Sequence, residues 1–427
     1  MIEKNSSKVM NDSDRWQHRL PVFYGWVMIG VAGLIIFCTG PGQTFSFSLF
    51  IDSFIDDFGW SRTLVSSLYS CATLISGCLM FLVGRLVDRF GARWICLVSA
   101  SLLALGCFLG AVIAAPLSLF LVFFIGRFSG QGSLGLSAST LPPRWFTRRR
   151  AFAIMLAGLG GTAAAVVYPL LNGFLIERYG WRSAFRILGA GVVFIAIPLT
   201  FLIVSKPEDI AMSPDGRTDE DGGYGNRQGE AEVSFSQKQM LRTPAFWLLA
   251  FCFLQQSLVG TGIAFHYLSI FNQHGYTNLF AARIMSISPL AGILATVAAG
   301  LFLDRFQHPQ RFLAAVFLVQ GAAWLMLLSL SGIAAAVVFS VLSGMSAALI
   351  MLIQKVLRPY LYGRMYLGGI SGVFVVVGVI GSALGPLPFG AAYDRFGGYR
   401  EILVASCVLP IVSAILSLFI KKPEMNP

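Results

Sequence analysis

One basic residue of this chain, Arg127, stands in the middle of an apolar run, and that isolation makes it the first candidate for chemistry. If the run crosses a bilayer, the side chain lies near the midplane, where an arginine costs about 2.5–3.5 kcal/mol on insertion scales. A sheltered planar guanidinium grips a carboxylate through two parallel hydrogen bonds. The same residue also reads as a packing or coupling element, because Arg127-Phe128-Ser129-Gly130 leads into small residues. His266 is the other group of interest, since imidazole titrates near neutral pH and could carry a coupled proton or meet the ligand. Its plainer reading is a ring satisfied by Gln255, Tyr267 or backbone. Gln43, Gln131 one turn from Arg127, Gln255, Gln256 and Tyr69 complete the substrate-binding candidates, because polar side chains in lipid-embedded segments usually face protein or water. Ser343 and Ser346 are candidates of the same kind, and Tyr69, Tyr168 and Asn172, at the outer ends of the second and fifth helices, are the weaker ones. All twenty Asp and Glu fall in loops, tails or helix ends, so no carboxylate relay through the membrane is available.

The elements that must hold these groups follow from composition. Only 12% of the 427 residues are charged and 56% are hydrophobic, with a mean hydropathy of +0.74. Soluble domains carry roughly a quarter charged residues, so the chain is read as membrane-spanning. Apolar runs of about 20 residues mark helices near 22–50, 61–84, 93–114, 117–140, 151–175 and 183–204. After a polar break they resume near 244–270, 281–304, 311–330, 333–356, 366–390 and 401–420. The fold class is therefore all-α, with twelve transmembrane helices in two six-helix halves. Residues 1–21 form an N-tail, 22–204 the first half, 205–243 a polar linker, 244–420 the second half and 421–427 a C-tail.

Of the 31 Lys and Arg, 23 fall on the side shared by the two tails and the linker, and seven on the other. By the positive-inside rule both termini are cytoplasmic, in a cell (inner) membrane. The first 21 residues lack the short apolar core of a cleavable signal. The +11 charge comes in short clusters between apolar segments and forms no groove-sized patch, which excludes nucleic acid as a partner. Seven scattered cysteines show no metal-ligand spacing. Gly130-Gln131-Gly132-Ser133-Leu134-Gly135 spells a dinucleotide fingerprint but follows no strand, and no cofactor is expected.

The halves repeat one another. Gly59-Trp60-Ser61 recurs 216 positions later as Gly275-Tyr276-Thr277, and Gly84, Asp88, Arg89 and Phe90 recur as Gly300, Asp304, Arg305 and Phe306. GFLIERYG (173–180) recurs 217 positions on as GAAYDRFG (390–397), and RWFTRRR (144–150) has an echo in RPYLYGR (358–364). Four matches in one order at nearly one offset indicate duplication of a six-helix unit, with a substrate site between the halves near the midplane.

Gly84-Arg85-Leu86-Val87-Asp88-Arg89-Phe90-Gly91-Ala92-Arg93 resembles the hallmark loop Gly-x-Leu-x-Asp-Arg-x-Gly-x-Arg of the major facilitator superfamily. The resemblance implies a gating loop made by Gly84, Asp88, Arg89, Gly91 and Arg93, with Asp304 and Arg305 in the second-half copy. Val22-Phe23-Tyr24-Gly25-Trp26, Phe58-Gly59-Trp60-Ser61-Arg62 and Arg144-Trp145-Phe146 are similar to the monocarboxylate and oxalate/formate group. That group carries an Arg in the middle of the eighth helix, whereas 286–300 has no basic residue here, and the Lys of the oxalate exchanger's eleventh helix is missing from 366–390. Oxalate is thereby disfavoured. The implied function is a monomeric secondary carrier, not an enzyme, moving a small organic anion, a monocarboxylate first, by alternating access with proton symport or anion exchange. Efflux of amphipathic drugs or metabolites by proton antiport is the alternative, and a transporter-like substrate sensor the remote one.

Overall fold

The structure is a computed structural model that describes residues 23–146, 150–210, 212–213, 235–302, 309–363 and 367–423. The N-tail, most of the central polar segment, and Asp304 and Arg305 lie outside the described residues. Every regular element among those described is helical. Among the described residues, ten helical segments are long and apolar enough to cross a membrane. One of them, Phe152–Phe201, is two spans, because Gly180 takes a left-handed φ of 77° and breaks the run after the fifth. The first span is the shorter apolar helix Tyr24–Cys38, which brings the total to twelve.

Local chemistry sets most helix ends. Ser61 caps the second span, Arg62–Phe90, by accepting from the Leu64 amide, and Thr243 caps the seventh, Pro244–Phe265, by accepting from Phe246. Proline opens that helix as well as Pro116–Ile125 and Pro386–Phe396, where its missing N–H costs nothing. Large apolar side chains such as Phe194, Leu294 and Val112 remain well exposed. A soluble protein rarely carries such a surface, whereas in a bilayer it faces lipid, and the helices satisfy their own backbone groups.

The first span departs from the continuous helix expected over 22–50. It stops at Cys38, turns through Gly40–Gly42, runs extended at Gln43 and resumes as Thr44–Phe47 and Ile51–Phe58. The fourth span is also irregular: Pro116–Ile125 passes into a π-helical stretch, Gly126–Leu134, before Gly135–Ser139.

Four apolar clusters hold the bundle, two in each half. The cluster around Tyr24, Trp145 and Leu141 lies in the first half and the start of the segment after it, at Ile210, and the one around Phe246, Leu249 and Tyr362 lies wholly in the second half and the segment before it. The other two interlock: Phe265 of the seventh span packs into the first-half cluster around Phe50 and Phe185, and Leu49 into the second-half cluster around Phe271 and Trp324. The halves meet where the second span packs on the eleventh (Leu367–Leu384 and Pro386–Phe396) and the fifth on the eighth (Asn278–Phe302). The interlocking clusters lie toward the end that carries the loops after the first, fifth, seventh and eleventh spans, called the latched face below. Of the expected linker, the regular elements among the described residues are the short turn Pro207–Ile210 and the helix Gln237–Leu241.

Candidate functional site

The break in the first span and the wide turn of the fourth are one structural event. A Cβ at Gly42 would overlap the Gly126 carbonyl oxygen, and one at Gly130 would stand 2.9 Å from the Gly42 Cα. Only glycine at these positions lets the two backbones approach so closely. π-helical turns inserted into α-helices recur at functional sites, and discontinuous spans build the substrate sites of many carriers. Here the two irregularities present Arg127 and Thr44 to each other.

Arg127 is 5% exposed. Its Nε donates to Thr73 Oγ1 at 3.2 Å and its Nη1 to Thr44 Oγ1 at 3.2 Å. The guanidinium lies 5.2 Å from the centroid of the Tyr69 ring, a cation–π distance. The Tyr69 hydroxyl closes the group by hydrogen bonding Thr44 Oγ1 at 2.7 Å. No carboxylate forms an ion pair with Arg127 among the described residues, and Nη2 has no hydrogen-bond partner there and is not sealed from solvent. A buried cation held only by neutral groups keeps its charge available for an anion.

The structure joins some expected site residues and separates others. Arg127 and Tyr69 belong together, and Gln43, half-buried in the break, donates to Thr39 Oγ1 at 3.1 Å. Gln131 is exposed. Gln256 lines a separate cavity of about 250 Å³ between the halves, with Phe45, Tyr267, Ser288, Trp324 and Ser343 among its walls. There it pairs with Gln320 of the ninth span. Gln255, about 100° around the helix from Gln256, is 3% exposed, and neither of its amide atoms has a hydrogen-bond partner among the described residues.

His266 sits at the seam between the halves. Its Nε2 lies 3.0 Å from the Pro386 carbonyl oxygen and 3.2 Å from Ser66 Oγ, and its Nδ1 lies 3.1 Å from the Tyr399 hydroxyl. Because a carbonyl only accepts, the neutral ring carries its hydrogen on Nε2 and accepts from Tyr399 at Nδ1. The backbone partner expected from sequence is present in the Pro386 carbonyl, but the side-chain partners are Ser66 and Tyr399 in place of Gln255 and Tyr267. Nearby, the Asp394 carboxylate accepts from the backbone N–H groups of Arg62 and Thr63 at 3.2 and 2.8 Å, capping the second span from the opposite half.

Of the residues expected to gate the other face, Gly91 turns the chain at φ 81°, and Gly84 lies within the second span. Arg89 and Arg93 are exposed, with their guanidinium groups 5.2 Å from the Phe90 ring and 5.8 Å from the Phe201 ring. Asp88 falls in the last turn of the second span, its side chain outside the description. Sequence reasoning missed Thr44, Thr73, Ser66, Tyr399 and Gln320. Each is an ordinary polar residue whose role comes from a distant partner. Ser66, Tyr69 and Thr73 did carry one signal, their spacing along a single helical face.

A family model described as Major Facilitator Superfamily matches residues 32–386. Monocarboxylate transporter 12-B of Danio rerio is 25% identical over 421 residues, covering 92% of this chain and 86% of the relative. The aspyridones efflux protein apdF of Emericella nidulans is 22% identical, covering 92% and 76%. Monocarboxylate transporter 14 of Mus musculus is 27% identical over 195 residues, which span 45% of this chain and only 37% of the relative. Among solved structures, a bacterial homolog of the human lysosomal transporter Spinster, inward-facing and unoccupied, superposes with a TM-score of 0.71 at 18% identity, covering 93% of this chain and 97% of that one. The nucleoside transporter NupG gives 0.70 at 16%, covering 92% and 99%. Twelve helical spans in two halves, and a family match over most of their length, place the chain in the Major Facilitator Superfamily as a multi-pass membrane transporter rather than an enzyme.

Proposed function

We propose that this transporter carries a small organic anion, a monocarboxylate first, with Arg127 as the group that holds the carboxylate. One observation carries the reading: a buried guanidinium with no ion-pair partner among the described residues, at the crossing of a broken first span and a widened fourth, with Nη2 unpartnered there. Thr44 and Thr73 fix the plane of the fork, and Tyr69 screens its face. A carboxylate arriving at Nη2 forms a charge-assisted bond worth about 1.5–3 kcal/mol, which offsets part of the cost of keeping the cation in the membrane. Phe45, the residue after Thr44, also lines the inter-half cavity beside Trp324, which is apart from Arg127 in this structure. The monocarboxylate transporters among the relatives support the same class.

In this reading the chain works as a monomer in the cell inner membrane with both termini cytoplasmic, and residues 205–243 link halves that rock about the site. The latched face is then the outer one. The coupling ion is a proton, or exchange with a second anion takes its place. His266 is suited to the proton, because uptake at Nδ1 turns an acceptor into a donor and forces the Tyr399 hydroxyl to reorient within the seam. Gly84, Asp88, Arg89, Gly91 and Arg93, with Asp304 and Arg305, gate the cytoplasmic face.

The test is uptake into proteoliposomes. Arg127→Gln is expected to weaken carboxylate binding about tenfold to a hundredfold while the protein remains folded, and Arg127→Lys to recover only part, since an ammonium lacks the fork. Unimpaired uptake by Arg127→Gln ends the binding role. A second reading, export of an amphipathic molecule, is favoured by the largely apolar cavity wall and by the fungal efflux relative. It predicts thermal stabilisation by uncharged or cationic amphiphiles and none by carboxylates.

A further inference from the structure

The second span carries one polar stripe. Arg62, Ser66, Tyr69 and Thr73 follow at spacings of four, three and four, which puts them on a single helical face. All four are buried against the seam, at 9%, 0%, 0% and 3% exposure. The upper part of the stripe is covered by the other half: Tyr393 stacks 4.4 Å from the Arg62 guanidinium, His266 meets Ser66, and the Phe265 ring lies 4.4 Å from Tyr69. The lower end is the Arg127 site itself, where Tyr69 and Thr73 touch the guanidinium.

Arg62 is incompletely satisfied. Its Nη2 pairs with Asp52 Oδ1 at 2.7 Å, but Nε and Nη1 are buried with no acceptor among the described residues. A buried orphan donor in a native structure calls for an explanation, and the more so on a cation. The pseudo-equivalent seam between the fifth and eighth spans shows that the fold does not require such groups, since Ala282 stands where Ser66 does and Asn278 where Arg62 does. A polar stripe that one state buries is built for the state in which the seam opens to water.

We propose that Arg62 is a second anion-binding residue, the outer capture site for the transported carboxylate, and that the stripe through Ser66, Tyr69 and Thr73 leads from it to Arg127. This rests on the anion reading given above. Eleven residues separate Arg62 from Thr73, roughly 16 Å along the helix, so a small carboxylate occupies the two sites in turn and never bridges them. In the closed state Asp52 holds one edge of Arg62, and Tyr393 covers its face. Opening the seam withdraws Tyr393 and exposes Nε and Nη1 to the incoming anion.

The experiment measures sided kinetics in oriented proteoliposomes with radiolabelled pyruvate, lactate and benzoate. Arg62→Gln is expected to raise the KM for substrate added at the latched face about tenfold, with the KM from the opposite face near wild type. Arg62→Lys should recover part of the loss. A residue that only fastened the seam behaves oppositely, because releasing it favours the open state and lowers that KM, as Asp394→Asn is expected to do. An unchanged or lowered KM at the latched face in Arg62→Gln therefore overturns the capture site alone. If the wild type carries none of the three acids, or if Arg127→Gln carries them unimpaired, the anion reading fails and the capture site falls with it.

Discussion

The duplicated scaffold meets itself twice at the latched face, and the two meetings are chemically unlike. Where the second span meets the eleventh, Gly390 lies against the Arg62 carbonyl and Ser66, and Asp394 caps the opposite helix. Where the fifth meets the eighth, Gly173 lies against Ala282 and Leu279, and Glu177 stays exposed beside Thr277 and Asn278. The glycines match in the repeat, as do the acids, so duplication kept the close approach in both seams. The polar investment went into one. His266, Ser66, Tyr399 and Arg62 crowd the first seam, while among the described residues the second has one cross-half hydroxyl bond, Ser286 Oγ to the Val166 carbonyl at 2.8 Å. A seam with many polar groups tolerates parting into water, because those groups exchange protein partners for solvent. A seam of small apolar residues loses more on wetting, and so serves better as a pivot.

The comparison breaks most sharply at its glycines. A Cβ at position 390 would stand 2.7 Å from Ser66 Oγ and 3.0 Å from the Arg62 carbonyl oxygen. Gly390→Val should cost about 1–3 kcal/mol in the closed state and reduce initial uptake at least tenfold. Gly173→Ala, whose Cβ meets Ala282 at 3.3 Å, should stay within about threefold of wild type, a loss under about 1 kcal/mol. Equal losses in the two would mean that both seams must close equally tightly.

Next in size is the histidine. His266→Ala leaves Ser66, Tyr399 and the Pro386 carbonyl without their shared partner, an expected loss of about 1–3 kcal/mol, visible as a lowered melting temperature in detergent. Ser286→Ala removes one neutral hydrogen bond from the other seam and should cost about 0.5–1.5 kcal/mol. A larger drop for the serine variant would reverse the assignment of polar seam and pivot.

The smallest effect belongs to the acids. Asp394→Asn weakens a carboxylate cap on a helix N-terminus, an interaction of about 0.3–1 kcal/mol, and should speed labelling of a Ser66→Cys reporter by an impermeant maleimide severalfold. Glu177→Gln should leave that rate unchanged. Acceleration by both would show that the two junctions act as one latch.

Much of the architecture was legible along the chain. Hydropathy and the avoidance of buried charge act locally, so twelve spans and two halves follow from runs of residues, and Arg127 stands out as the lone midplane cation. The interruption of the first span was not legible. Gly40-Pro41-Gly42 holds a local break signal, since proline cannot continue a helix, but its short length inside an apolar run hid it, and the close approach of Gly126 and Gly130 to Gly42 appears only in the packing. Gln255 and Gln256 illustrate the same boundary. Sequence marked both as polar groups in a span, and one residue of helical rotation sends one to the cavity and leaves the other buried without a partner among the described residues.

By itself, then, the sequence determined a duplicated membrane-spanning bundle with one isolated guanidinium, because solvent preference and repetition are properties of contiguous residues. Only the tertiary structure decided which hydroxyls hold that guanidinium, that His266 belongs to a seam, and that Arg62 has donors to spare. Those facts depend on residues 62 and 394, or 66 and 266, coming together. No local rule brings such distant residues into contact; the packing of one half against the other does.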